Sequence, residues 1–167
     1  MAKPNVLVDI SGNLLNNEEM YKRLKQITEK YSITLCIGGG EQINEEFRGR
    51  GFEIKFGIMG RITKTLEERQ VARDVLEANR IFVQGRLDER GISVRVIIPV
   101  DGEGEELCHY NGDIKILYEY NRYEKIFRFT RKEKVAEKKE FIRLIEIAFQ
   151  YLMKTTDKLD KIVIEGF

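Results

Sequence analysis

Apolar positions along this chain follow two rhythms. Residues 6–10 (VLVDI) form a short apolar run with one charge, closed by Ser11-Gly12-Asn13. That is the pattern of a buried strand entering a turn. Across residues 18–31, Met20, Leu24, Ile27 and Tyr31 return at helical spacing with Lys and Glu between them, which predicts an amphipathic helix. Residues 33–37 (ITLCI) predict a second strand, which ends in Gly38-Gly39-Gly40. Residues 41–48 carry Ile43 and Phe47 four apart on a second helix. Strand, glycine turn, helix, given twice, is the order of a parallel sheet covered by helices.

The rest of the chain is read in the same way. Gly49, Gly51, Gly57 and Gly60 frame a looser stretch with a strand or hairpin over residues 52–59. Leu66–Glu89 predicts a helix, with Leu66, Val75, Leu76 and Leu87 apolar and a break near Asn79. Residues 93–100 (SVRVIIPV) predict a third strand ending near Pro99, and residues 101–106 an acidic loop. Residues 113–120 alternate Ile114, Ile116, Tyr118 and Tyr120 against Lys115 and Glu119. Alternation favours a half-exposed strand, with Lys125–Thr130 as its hairpin partner. Val135–Met153 predicts a long helix with Phe141, Leu144, Ile145, Ala148, Phe149 and Leu152 on its apolar side, and residues 161–164 (KIVI) a last strand. No linker, repeat or low-complexity segment interrupts the 167 residues, so one compact domain over residues 1–167 is expected.

Composition narrows the function. The 42% of hydrophobic residues suffice for one core. The net charge is +1, from 29 basic and 28 acidic residues, which gives no global case for nucleic-acid or anionic-membrane binding. No apolar run approaches the roughly 20 residues that cross a bilayer, and no signal peptide is expected from the opening MAKPNVLVDISG, whose apolar run is short and ends in Asp9. Cys36 and Cys108 show no metal spacing. Cys36 reads as a buried strand residue, and a reducing cytoplasm is the expected location.

The chemistry points to the glycines. Glycine lets backbone N–H groups approach a phosphate or carboxylate with no Cβ in the way. A helix start just beyond adds partial positive charge. Gly38-Gly39-Gly40 is the stronger signal of the two turns, and it fits neither the Rossmann fingerprint nor the P-loop. The lone histidine, His109, has no nucleophile motif beside it. Tyr118, Tyr120, Tyr123, Phe127 and Phe129 interleave with Arg122, Lys125 and Arg128. That pattern suits a core with a solvated face better than a base-stacking strip.

Several segments together resemble the amino-acid kinase family, which includes N-acetylglutamate kinase and uridylate kinase. VLVDISGNLL is similar to the family's opening strand and turn, and LCIGGGEQI to its second glycine turn in the N-acetylglutamate kinase form. KFGIMGRITKTLEE resembles a segment in which Gly, Arg and Thr precede a helix, and LDERGISVRVI the helix, Gly and strand of uridylate kinase. In the second half, HYNGD is faintly similar to an Asn-x-Asp site, KIFRFTRKEK to the strand and Thr opening a nucleotide pocket, and KIVIEGF to a closing strand.

The resemblance implies a three-layer α/β/α sandwich with a mostly parallel sheet. It implies transfer of the γ-phosphate of ATP, with ATP and Mg²⁺ as cofactors, to a carboxylate, carbamate or phosphate. Ser11, Gly12, Asn13 and Gly38, Gly39 and Gly40 would line the ligand site, and Arg61 would hold the acceptor's carboxylate. Alternatively, Arg61 is a solvated surface residue. Thr130 and Lys139 would meet a nucleotide, and Lys138 or Lys139 would stand where the family has a phosphate-binding lysine. A solvated basic helix face is the other reading of RKEKVAEKK. Expected partners are a small anion or nucleotide, with a homo-oligomer compatible and neither nucleic acid nor membrane.

Two departures stand out. The nucleotide half is much shorter than the family's. Asp9 stands where the family has a lysine that offsets charge on the transferring phosphoryl group. Asp9 either removes the usual mechanism, holds Mg²⁺ through its hard oxygens, or is a plain strand residue. The chain therefore reads as a small-molecule kinase with a shortened nucleotide half, or as a non-catalytic regulatory or interaction protein on the same scaffold.

Overall fold

A computed structural model describes residues 2–57, 60–109 and 112–167, without the side chains of Glu106, Cys108 and His109. Ile58 and Met59 of the expected hairpin, and Tyr110 and Asn111 of HYNGD, lie outside the described residues. The elements run β1 (Asn5–Ile10), α1 (Glu18–Lys30), β2 (Ser32–Ile37), α2 (Gly40–Arg50), β3 (Lys55–Gly57), β4 (Gly60–Ile62) and α3 (Leu66–Glu89). They continue with β5 (Arg95–Ile97), β6 (Val100–Asp101), β7 (Cys108–His109), α4 (Gly112–Glu119), β8 (Lys125–Thr130), α5 (Val135–Met153) and β9 (Ile162–Gly166).

The central sheet has the order β5-β2-β1-β8-β9, and every pairing in it is parallel. Its middle strands are buried along nearly their whole length, as parallel strands covered on both faces must be. On one face Val6, Val8, Ile10, Leu35 and Ile37 meet Met20, Leu24 and Ile27 of α1 and Val83 and Leu87 of α3. On the other face Leu7, Cys36 and Ile126 pack against Ile116 of α4, with Tyr123 beside them. A third cluster joins α2 to α3 through Ile43, Phe47, Val71, Ala72 and Leu76. Antiparallel β3–β4 and β6–β7 pairs stand outside the main sheet.

Local chemistry accounts for the element starts. Asn17 accepts a hydrogen bond from the Met20 N–H at the head of α1. Thr65 and Glu68 form a reciprocal capping box that opens α3. α3 then runs unbroken through Asn79, whose amide turns inward and donates to the Gly38 carbonyl at 3.1 Å.

Residues 113–120 are not a strand. Gly112–Glu119 is the helix α4, so Lys125–Thr130 has no hairpin partner there and lies instead between β1 and β9. The period-2 alternation misleads because α4 is buried on most sides: Ile114, Lys115, Ile116 and Glu119 are all buried while Tyr118 is exposed. The place beside β1 is taken by β8, and a cover is what Leu7, Cys36 and Ile126 need. Lys115 and Glu119, 3.0 Å apart at i and i+4, form the helical pair that alternation counting passes over. The docking side of α5 also differs from expectation. Ile142 is its buried residue, while Leu144, Phe149 and Leu152 are exposed. α5 contacts β9, the last strand at that edge, where little sheet remains to cover a full helical face.

Candidate functional site

Because β1 and β2 are neighbours with Ile10 opposite Ile37, their two glycine turns emerge side by side. The Gly38 N–H donates to the Ile10 carbonyl at 2.9 Å, and the Gln42 side-chain amide donates to the Gly12 carbonyl at 2.9 Å. The turns touch so closely that side chains do not fit between them. A Cβ on Gly12 would lie 2.9 Å from the Gly38 oxygen and the Gly39 Cα, and one on Gly39 would lie 2.8 Å from the Asn79 amide nitrogen. Gly40, the first residue of α2, faces open space instead. Gly39→Val should therefore destabilise the protein by about 1–3 kcal/mol through overpacking. Gly40→Val should keep the wild-type melting temperature within about 2 °C while narrowing the cleft. Thermal melts of the two variants check this; equal losses would show that the turns are not packed this way.

The turns open onto a cleft of about 370 Å³ at the carboxyl ends of β1 and β2, the usual ligand position of an open parallel sheet. The N-terminus of α2 sits at this cleft, where the first N–H groups of a helix have no intrahelical partner. Among the expected site residues, Asp9, Ser11, Gly12, Asn13, Gly38, Gly39, Gly40, Arg61, Thr130 and Lys138 all line the cleft. Lys139 does not: it is exposed, one residue round the helix from Lys138.

Arg61, on β4, is buried and not the solvated alternative. Its guanidinium lies between the Phe47 and Phe56 rings, 5.2 and 4.8 Å from their centroids, and donates from Nη2 to the Gly40 carbonyl at 3.0 Å. Its Nε and Nη1 have no hydrogen-bond partner among the described residues. Burial lowers its pKa to about 10, so it is a cation at neutral pH.

The floor of the cleft holds a second charged group. Asp9 stands opposite Cys36 on β2 and Arg128 on β8, three side chains in one row across three strands. Gly112, at the start of α4, passes so close that a Cβ there would meet the Asp9 carboxylate at 2.8 Å. Arg128 Nε lies 2.8 Å from Asp113 Oδ1 and 3.1 Å from Asp9 Oδ2. The Nε–H is aligned on Asp113, so Asp9 has the ion pair without a hydrogen bond from Arg128 to its carboxylate oxygens. Arg128 Nη1 donates to the Phe129 carbonyl at 2.8 Å and to Ser11 Oγ at 3.2 Å. Lys138, from the first turns of α5, reaches the other oxygen of Asp113.

The two carboxylates respond in opposite ways. Burial raises the Asp9 pKa to about 6, against the pull of Arg128. Burial also works to raise that of Asp113, but Arg128 and Lys138 outweigh it and hold it below the usual range. Arg128 is pushed upward, since its two carboxylates outweigh the desolvation that would lower it. Asp9 Oδ2, one of the two oxygens that a Mg²⁺ would use there, already has the Arg128 guanidinium beside it. Among the described residues no group of three or more His, Cys, Asp or Glu side chains is placed to hold a metal ion.

Sequence reasoning reached Asp113 only through the faint HYNGD resemblance and did not select Arg128 for the site. Asp113 carried a signal in its Asn-Gly-Asp context. Arg128 carried none, since a basic residue in an alternating aromatic strand reads as the solvated face.

No protein-family model matches the chain, and no curated protein matches it. Among solved structures, N-acetylglutamate synthase from Neisseria gonorrhoeae in complex with coenzyme A and N-acetylglutamate superposes with a TM-score of 0.55 at 13% identity. The match covers 99% of this chain and 55% of that one. The same enzyme with coenzyme A and L-arginine gives a TM-score of 0.53 at 12% identity, covering 99% and 57%. The present chain thus spans a little over half the length of the proteins it superposes on. At this identity the likeness establishes the fold: a mixed α/β, amino-acid-kinase-like three-layer sandwich with a mostly parallel central sheet. No described helix is long and apolar enough to cross a membrane.

Proposed function

We propose that this chain binds a small anionic metabolite, bearing a carboxylate or phosphate, in the cleft between its two glycine turns. The observation that carries the reading is Arg61, a buried guanidinium at the cleft whose Nε and Nη1 have no partner among the described residues. A buried donor without a partner is disfavoured unless something supplies the acceptor. A carboxylate or phosphate oxygen is the acceptor that suits a guanidinium. The N–H groups at the start of α2 supply further donors on the same side. N-acetylglutamate, present in the Neisseria enzyme, and nucleotides are the first ligands to try on this chain.

Binding without phosphoryl transfer is the favoured form of this reading. Asp9, Asp113, Arg128 and Lys138 carry two negative and two positive charges. The cleft floor is therefore neutral as a whole, where a phosphotransferase concentrates positive charge. A sensor or regulatory subunit would keep such a site.

Calorimetric titration of the wild type and of Arg61→Met with N-acetylglutamate, pyrophosphate and ATP·Mg²⁺ tests the proposal. Loss of a charged hydrogen-bonding partner is worth about 1.5–3 kcal/mol, so the variant should bind about 10- to 150-fold more weakly. Equal affinity in both proteins would place the ligand elsewhere.

A further inference from the structure

We infer that Arg128 is a ligand-contacting cation of this cleft and that Asp9 is its resident competitor, so that an anion binds there together with one proton taken up by Asp9. The inference rests on the proposed anion site and adds how that site is regulated.

The geometry supplies the competition. Arg128 and Asp9 both line the cleft and lie 3.1 Å apart on neighbouring strands. The Asp9 carboxylate is almost wholly buried, and among the described residues neither oxygen has a well-aligned hydrogen-bond donor. It is held by that ion pair, with the Cys36 thiol and the close approach of Gly112 beside it. An incoming anion at Arg128 meets this second negative charge. Like charges about 4 Å apart repel by roughly 4 kcal/mol at an effective dielectric near 20. Protonating Asp9 removes the repulsion and changes the four-residue cluster from neutral to a net charge of one positive unit. Asp9 then takes the proton and Arg128 takes the ligand as its second anionic partner beside Asp113.

The surroundings leave Asp9 as the group that responds. From β8 it faces Arg128, from α4 Asp113, from α5 Lys138 and from β2 the Cys36 thiol. Arg128 is held firmly protonated. Asp113 is held ionised by two cations. The thiol is pushed by burial well above its ordinary range and stays neutral. Arg61 across the cleft keeps its charge, with a pKa of about 10. At the mouth, Arg131 pairs with Glu133 and Lys134 with Glu137. Asp9, with a pKa raised to about 6 by burial, changes state between pH 5 and pH 7.

The probe is sulfate, whose own charge is constant over that range. Calorimetric titrations at pH 5 and pH 7, each in two buffers of different ionisation enthalpy, report affinity and proton uptake together. A site that requires protonated Asp9 should bind sulfate about tenfold more weakly at pH 7 than at pH 5, with about one proton taken up at pH 7 and almost none at pH 5. Asp9→Asn should bind equally well at both pH values and take up no proton, which also separates Asp9 from the lone histidine. Sulfate binding at pH 7 without proton uptake would overturn the inference and leave the proposed site standing. No binding at either pH would overturn it as well, and the Arg61→Met titrations then decide separately whether the site itself holds.

Discussion

Arg128→Met should lower the stability of the protein by roughly 3–5 kcal/mol near neutral pH, the usual effect of removing one partner of a buried ion pair. Arg128 is buried in the second face of the sheet and is the cation shared by Asp9 and Asp113. Without it Asp113 keeps Lys138, but Asp9 is left as a buried carboxylate facing another carboxylate. The sign of the pH dependence follows. A carboxyl whose folded pKa lies above its unfolded value contributes most below that unfolded value. Its contribution is lost as pH rises through the folded pKa. In the wild type, Asp9 does this between about 3.8 and about 6, at most about 3 kcal/mol. In the variant the window moves higher, so Arg128→Met should recover stability on acidification toward pH 5. Adding Asp9→Asn should restore much of the loss at pH 7. Urea denaturation of the three proteins at pH 5 and pH 7 measures this. A pH-independent loss, or no rescue by the second substitution, would show that Arg128 matters for packing and not for charge.

Phosphoryl transfer from ATP to N-acetylglutamate, glutamate or uridine monophosphate should be undetectable. The family that the sequence resembles places a lysine where Asp9 stands. Exchanging attraction for repulsion at about 4 Å amounts to roughly 8 kcal/mol at an effective dielectric near 20, or about six decades in rate. Arg128 brings a cation to the same row of the sheet, but its charge is matched by Asp9 and Asp113. Asp9→Lys does not repair the site: it would set a third cation beside Arg128 and Lys138 with only Asp113 to balance them, and should destabilise the fold. Phosphorus NMR of the reaction mixtures is a direct measurement. Efficient turnover by the wild type that disappears in Asp9→Asn would overturn the reading of Asp9 as a barrier to the standard mechanism.

How much of this was legible beforehand differs from element to element. The order of β1, α1, β2 and α2 could be read because each obeys a local rule: apolar runs ended by glycine, or apolar residues at helical spacing. α3 and α5 matched their expected bounds for the same reason. α4 was misread because alternation in an eight-residue segment cannot separate a strand from a helix buried on most sides. Of the site, the two glycine turns were visible as turns.

The sequence by itself determined that two glycine turns follow two buried strands, and that a carboxylate stands one residue before the end of the first of them. Only the tertiary structure decided what that carboxylate faces. Asp9 and Arg128 are 119 residues apart in the chain, and they become neighbours because β8 pairs with β1 in a register that sets one opposite the other. Asp113 and Lys138 reach the same point from two helices laid over that face of the sheet. Local propensity cannot carry such information: strand order and register are set by which apolar faces must be covered together. The charge balance of the cleft is a consequence of that packing.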